Sequence, residues 1–272
     1  MSPSSSPDDL PSSLADAVAG FLGDDVWSRA GLRLERDGPV VTIALARPEK
    51  RNAQRPETWL ALDAVGRLLP GDVRVVVVRG DGPSFSAGID LSVLAEQAGG
   101  DLPDADRIAG YQAGFTWLGR ADLLSVAVVS GHAVGAGFQL ALACDLRLIG
   151  DDALLSMAET SRGLVPDLGG TEALVHLVGY GRAFEMCLTG RRVGATEAVS
   201  IGLATMAVSP AELDNALADL IGALLAAPRD AAVETKALLL RARDLAGGRA
   251  GQLAAEREAQ VRRVRALAGL GD

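Results

Sequence analysis

The chain has 272 residues, 49% apolar and 22% charged, enough to bury a sizeable core, so disorder is not its default state. Its 35 acidic and 26 basic residues leave a formal net charge of −9, opposite to the footprint of a nucleic-acid binder. Two cysteines, Cys144 and Cys187, exclude a disulfide scaffold and suit a reducing compartment; with no apolar run reaching the roughly 18 residues of a membrane span, the protein is expected in the cytoplasm and off the membrane.

Residues 1–27 read as an N-terminal tail, partly disordered: the first 14 are rich in Ser and Pro, and the stretch to Val26 is weakly amphipathic. Leu32 to Glu35 and Pro39 to Ala46 alternate apolar and polar residues around Asp37-Gly38, which predicts a hairpin. Trp59, Leu60, Leu62, Val65, Leu68 and Leu69 fall at helical spacing from Pro56, and Pro70-Gly71 ends the run. Val73 to Val78 is too apolar for a half-exposed strand and predicts one covered on both faces. The same alternation recurs, with a helix over 104–120 before a strand at Val126 to Val129, and a helix over 136–143 before Leu146 to Ile149. This is the pattern of an α/β chain with a largely parallel sheet, placed over 28–205. Helices alone are predicted in a C-terminal region over 206–272, opening on a capping box at Ser209 to Glu212 that leads to Ala227. Two more follow, over Ala231 to Arg243 and Ala250 to Leu267. The last is polar enough to pack on another subunit, and equally fits a helix lying on its own domain.

No P-loop, HExxH, CxxC or GxSxG signature occurs, so no metal is expected, and His132 and His176 sit among small or apolar neighbours as structural histidines do. Ser130 to Gly137 is Gly-rich and runs from a buried strand into a helix start, where free N–H groups and small side chains admit a ligand oxygen. Phe85 to Asp90 is a second small-residue turn after another buried strand. Each alone also fits tight packing, and the pair favours an oxyanion site. Glu159 follows a strand predicted over Ala153 to Met157, and Gly163 with Pro166 lets the chain double back to bring Asp167 to the same cleft. A partly desolvated carboxylate beside such turns suits a general base. The same two acids also fit solvated loop positions, and Asp167 fits a cap for a helix over 170–178.

Taken together, Val41 to Leu45 with Arg47-Pro48-Glu49-Lys50-Arg51-Asn52-Ala53, Phe85 to Leu91, Gly131 to Leu146, and Gly163 to Thr171 resemble the crotonase, or enoyl-CoA hydratase/isomerase, family over roughly residues 30–270. The resemblance implies a spiral of ββα turns with a C-terminal helical trimerisation region, and a homotrimer or a hexamer of paired trimers. It implies an acyl-CoA ligand, with coenzyme A entering as part of a thioester substrate and no permanently bound cofactor. On this alignment the N–H groups of Ile89 and Ala136 form the oxyanion hole. Arg47, Lys50 and Arg51, with Arg79 as a further candidate, meet the phosphates or adenine. Ala87 and Leu91 line the pantetheine and adenine end, and Gly88, Asp90, Gly135, Gln139 and Pro166 complete the binding set.

Glu159 matches one of the two glutamates of the family's hydratases, and Gln139 stands where the other belongs. Asp167, eight positions after Glu159, stands where the dienoyl-CoA isomerases of the family carry an aspartate, although these also have an aspartate in place of Gln139. The expectation is therefore double-bond isomerisation by Glu159 with Asp167. Enoyl-CoA hydration (a lyase reaction) and a non-catalytic acyl-CoA-binding role are the alternatives.

Overall fold

The computed structural model describes residues 13–93, 105–244 and 248–267. The hairpin forms as predicted, from β1 (Leu32–Asp37) and β2 (Val40–Leu45) in antiparallel register. Helix α3 (Pro56–Leu68) follows, with Pro56 in its first turn and Trp59, Leu62 and Val65 buried. Strand β3 (Val75–Gly80) then begins a parallel run through β4 (Leu124–Val129), β6 (Leu146–Gly150) and β9 (Met206–Val208), giving a six-stranded sheet in the order β1-β2-β3-β4-β6-β9.

The valine run of β3 is covered on both faces because alternate side chains go to different cores. Val76 and Val78 join the main core with Leu62, Val65 and Phe115 of α4 (Ala105–Thr116), while Val75 and Val77 meet Leu213 and Leu217 of α9 (Leu213–Ala226). A second sheet, β5 (His132–Val134), β7 (Leu154–Ser156) and β8 (Val193–Gly194), lies beyond β4 in the order β5-β7-β8. Between the sheets stands α5 (Ala136–Ala143), whose residues 136–142 are all buried. Helices α6 (Gly170–Val178), α7 (Tyr180–Thr189) and α8 (Ala195–Ser200) complete the core. No helix among the described residues is long and apolar enough to cross a membrane.

Two expectations change. The first is the tail: residues 1–12 lie outside the described residues, but the rest of the segment is folded as α1 (Leu14–Leu22) and α2 (Asp24–Ala30). Leu14, Val18 and Leu22 recur every fourth residue, Val18 is fully buried in the main core, and Ser13 accepts the Asp16 N–H as an N-cap. That stripe is one residue wide among alanines and glycine, which is why the sequence reads as weakly amphipathic. The second is the box at Ser209. Its hydroxyl donates to Glu212 Oε2 at 2.8 Å rather than capping a backbone N–H, and Pro210–Glu212 form a 3-10 turn before α9. Within this chain α11 (Gly248–Leu267) lies against α10 (Arg229–Arg243) through an Arg262–Glu234 ion pair at 2.7 Å and a buried Ala259.

Candidate active site

Two small-residue turns are laid side by side at the head of α5. Phe85 N–H donates to Ser130 O at 2.8 Å, Ser86 N–H to His132 O at 2.8 Å, and Val134 N–H to Ser86 O at 3.0 Å. Gly88 has φ +87°, and a Cβ there would stand 2.5 Å from Val134 O, so only glycine permits this approach. The two backbones meet at that point, since the same Cβ would lie 3.5 Å from the Ala136 nitrogen. Ala136 is the first residue of α5, and its N–H has no acceptor within the helix. Ile89 pairs with Gln54 in a parallel bridge that uses Gly88 O and Asp90 N–H, both at 2.7 Å, which turns the Ile89 N–H the other way. Among the described residues neither N–H donates to a protein acceptor.

Glu159 opens a 3-10 turn (Glu159–Arg162) directly after β7 and is buried, with 9% of its surface exposed. A Cβ on Gly135 would stand 3.3 Å from its Oε1, so the carboxylate lies against the turn that presents Ala136. Oε1 accepts from Gln139 Nε2 at 2.7 Å, whereas the buried Oε2 has no partner among the described residues. Burial raises the Glu159 pKa above the ordinary glutamate range; hydrogen bonds from its own backbone and from Gln139 offset this in part, and the charge of Asp167 adds to it. Asp167 is half-buried and raised by burial as well. The helix at 170–178 is capped at Gly169 without a side-chain bond, so Asp167 does not cap it. Cys187 on α7 also faces this carboxylate, and burial together with the Glu159 charge pushes its thiol up.

The structure brings Glu159, Gln139, Gly135 and Ala136 into one cluster and aligns Gly88 and Ile89 beside it. The expected basic cluster is divided. Arg47 is spent on the protein itself: its guanidinium donates to Ala53 O at 2.9 Å and to Asp90 at 3.0 Å. Arg79 pairs with Asp214 of α9 at 2.9 Å. Lys50 and Arg51 remain exposed, and Arg51 O accepts the Ala87 N–H at 2.8 Å, which places them next to the exposed Ala87. Leu91 is half exposed at the end of the same turn, Asp90 is a structural anchor for it, and Pro166 is half-buried one residue before Asp167.

Sequence reasoning missed three supporting residues. Gln54, buried, donates to Ser86 Oγ at 3.1 Å and accepts from Trp59 Nε1 at 2.8 Å; Arg55 adds a second cation to Asp90 at 3.3 Å. Both directly follow the block 47–53, which was the available signal. Gln112 of α4 holds Asp167 O at 2.7 Å, a contact between residues 55 positions apart that no local pattern announces. Among the described residues no group of three or more His, Cys, Asp or Glu is placed to hold a metal. A cavity of about 630 Å³ lies elsewhere, lined by Leu142, Cys144, Leu177, Lys236, Leu239 and their neighbours, toward the C-terminal end of α5.

With this geometry in place, comparison with known proteins is decisive. The enoyl-CoA hydratase/isomerase family model matches residues 35–264. The chain belongs to that family. As a member of the enoyl-CoA hydratase/isomerase family it is an enzyme of hydratase/isomerase type on the crotonase fold. It is 41% identical over 189 residues to the carnitinyl-CoA dehydratase of Escherichia coli, covering 68% of this chain and 71% of that protein. It is 37% identical over 217 residues to that of Salmonella arizonae, covering 79% and 82%. A putative enoyl-CoA hydratase from Thermobifida fusca YX, solved in complex with CoA, superposes with a TM-score of 0.85 at 48% identity, covering 90% of this chain and 97% of the other. The acetoacetyl-CoA complex of a putative enoyl-CoA hydratase from the same organism gives 0.82 at 47% identity, covering 88% and 97%.

Proposed function

We propose that this enzyme moves a proton on an acyl-CoA thioester through an enolate, and that its reaction is the shift of a double bond into conjugation. The N–H groups of Ile89 and Ala136 hold the thioester oxygen as negative charge develops, one such donor being typically worth about two to three powers of ten in rate. Glu159 Oε2 takes the proton from the α carbon of a β,γ-unsaturated ester. The π electrons shift toward the α,β position, and the proton is returned at the γ carbon by Glu159 itself or by Asp167. The observation that carries this reading is the buried, unpartnered Oε2 of Glu159 lying against the Gly135–Ala136 turn. Burial raises its pKa from the ordinary glutamate value, which makes it a stronger base than a solvated carboxylate.

The CoA complexes of the Thermobifida proteins support coenzyme A as the carrier, entering as part of the thioester substrate. Lys50 and Arg51 are the free cations for its phosphates, Ala87 and Leu91 lie along its path, and Gly88, Gly135 and Pro166 leave room for the thioester and acyl chain. Dehydration or hydration is the second reading, favoured by the dehydratase and hydratase names of the relatives. We place the enzyme in the cytoplasm on its two free cysteines. We also propose a homotrimer or a hexamer, because Tyr180, Phe184 and Leu188 form an exposed apolar stripe along α7.

The test is to mix the protein with a β,γ-unsaturated medium-chain acyl-CoA and follow the absorbance of the conjugated thioester. A rise that Glu159→Gln abolishes supports isomerisation. Consumption of an α,β-unsaturated ester instead moves the assignment to hydration, and normal turnover by Glu159→Gln overturns the role of that residue.

A further inference from the structure

Gln139 is 1% exposed on α5, and its position in the site is dictated from both ends of its amide. Its Oε1 accepts the N–H of Leu168 at 2.9 Å and that of Gly170 at 3.3 Å, and two donors can face only the oxygen of an amide. The Nε2 end is therefore turned to Glu159 Oε1, at 2.7 Å. Gly170 is part of the same arrangement, since a Cβ there would stand 2.7 Å from Gln139 Cγ and push the side chain off the start of α6. The donors to Oε1 come from the N-terminal end of a nine-residue helix, where the helix dipole is positive. Polarised by them, the amide presents a more positive N–H to the carboxylate than an isolated amide does.

We propose that Gln139 is a positioning residue that relays the N-terminal field of α6 to Glu159, holding Oε1 as a fixed acceptor and leaving Oε2 as the single oxygen that exchanges a proton. This rests on the reading of Glu159 as the proton-moving group. The amide differs here from the glutamate that the family's hydratases carry: it donates to Glu159 Oε1, which a carboxylate at this position could do only when protonated. The other titratable groups coupled to Glu159 are Asp167, from the loop before α6, and the Cys187 thiol of α7. Asp167 opposes ionisation of Glu159, and Gln139 favours it.

Two variants separate the relay from a merely structural role. Gln139→Met keeps the volume and removes both ends of the amide, while Gln139→Glu keeps an acceptor for Leu168 and Gly170 and replaces the donor to Glu159 with a second carboxylate. Exchange of the α proton of a saturated acyl-CoA in heavy water is measured against pH for each, with Glu159→Gln alongside. The expected result is a kcat lowered about 10- to 100-fold, the range typical when a group orienting a functional side chain is lost. KM is expected to change less than kcat, since both ends of the Gln139 amide are taken up by the protein itself. The acid limb of the profile moves to higher pH in both variants. If Glu159→Gln still exchanges the proton, the reading of the site fails. If it does not, and the Gln139 variants keep the wild-type kcat and acid limb, the relay fails and the reading of Glu159 stands. Should Gln139→Met not fold, Gln139→Leu, which likewise removes both ends of the amide without adding a charge, takes its place by the same criteria.

Discussion

Arg47 and Asp90, 43 residues apart, join the loop after β2 to the turn that carries Ile89, through a contact of 3.0 Å with both side chains largely buried. Burial alone would raise the Asp90 carboxyl, but hydrogen bonds from Ser92, Arg47 and Arg55 outweigh it and hold the group well below the usual carboxylate range. A carboxyl depressed in the folded state contributes stability above its unfolded pKa and loses it as pH falls through the folded one. Asp90→Asn is therefore expected to cost about 1–3 kcal/mol at neutral pH, the range for hydrogen bonds to a charged group. Urea titrations should show this penalty shrinking as pH falls below the ordinary aspartate pKa. The variant should also lose turnover, because the Ile89 N–H is no longer held in place.

Glu159 carries the opposite sign. Its carboxyl is raised in the folded protein, so it binds a proton more tightly folded than unfolded. The stability it contributes is fully present below its unfolded pKa and is lost as pH rises through the folded one. Wherever the desolvated group is ionised it costs stability. Glu159→Gln should accordingly raise Tm at pH 7 while abolishing turnover, and the gain in Tm should vanish in acid, where the wild-type carboxyl is itself protonated. In the active enzyme, kcat should fall on the acid side at a pH above the ordinary glutamate range, because the base must be ionised.

The strands and helices of the core were legible because their signals are local. The valines of β3 announce a doubly covered strand, and Pro56 with Trp59, Leu62 and Val65 at helical spacing announces α3. The two Gly-rich turns and Glu159 were legible as candidates, though each turn alone also fits tight packing and the acid a loop position. The partners were not. Arg47 looks like a phosphate ligand until Asp90 is placed beside it, and the amide of Gln139 looks like a lost acid until Leu168 and Gly170 are seen to fix its orientation. Such pairings join residues 29 to 43 positions apart and carry no periodicity.

Gly88 tests the geometry of the paired turns. A methyl group at this residue meets Val134 O at 2.5 Å, and the backbone φ of +87° is one that L side chains rarely adopt. Gly88→Ala should destabilise by about 1–3 kcal/mol from backbone strain alone, more with the collision. It should also depress kcat through displacement of the Ile89 N–H. Gly163, at φ +72° with open space around it, is the control: Gly163→Ala suffers the strain without the collision, and thermal unfolding should rank it as the milder change.

Lys236 decides how the C-terminal helices are attached. Its buried ammonium leaves α10 to donate to Leu123 O at 2.8 Å and to Asp145 Oδ2 at 2.7 Å, and the same Asp145 oxygen accepts from the Ser125 N–H at 2.8 Å. Removing one member of a buried pair strands the other charge, typically at a cost of about 3–5 kcal/mol. Asp145 keeps 25% of its side-chain surface exposed and still accepts from Ser125, so Lys236→Met, which keeps the length and the apolar stem, should destabilise by less than that full figure. Hydrogen exchange should locate the loss first in α10 and α11, while the sheet and α5 stay protected. Lys236→Met combined with Asp145→Asn should recover part of the loss, since no uncompensated carboxylate then remains at the floor of the contact.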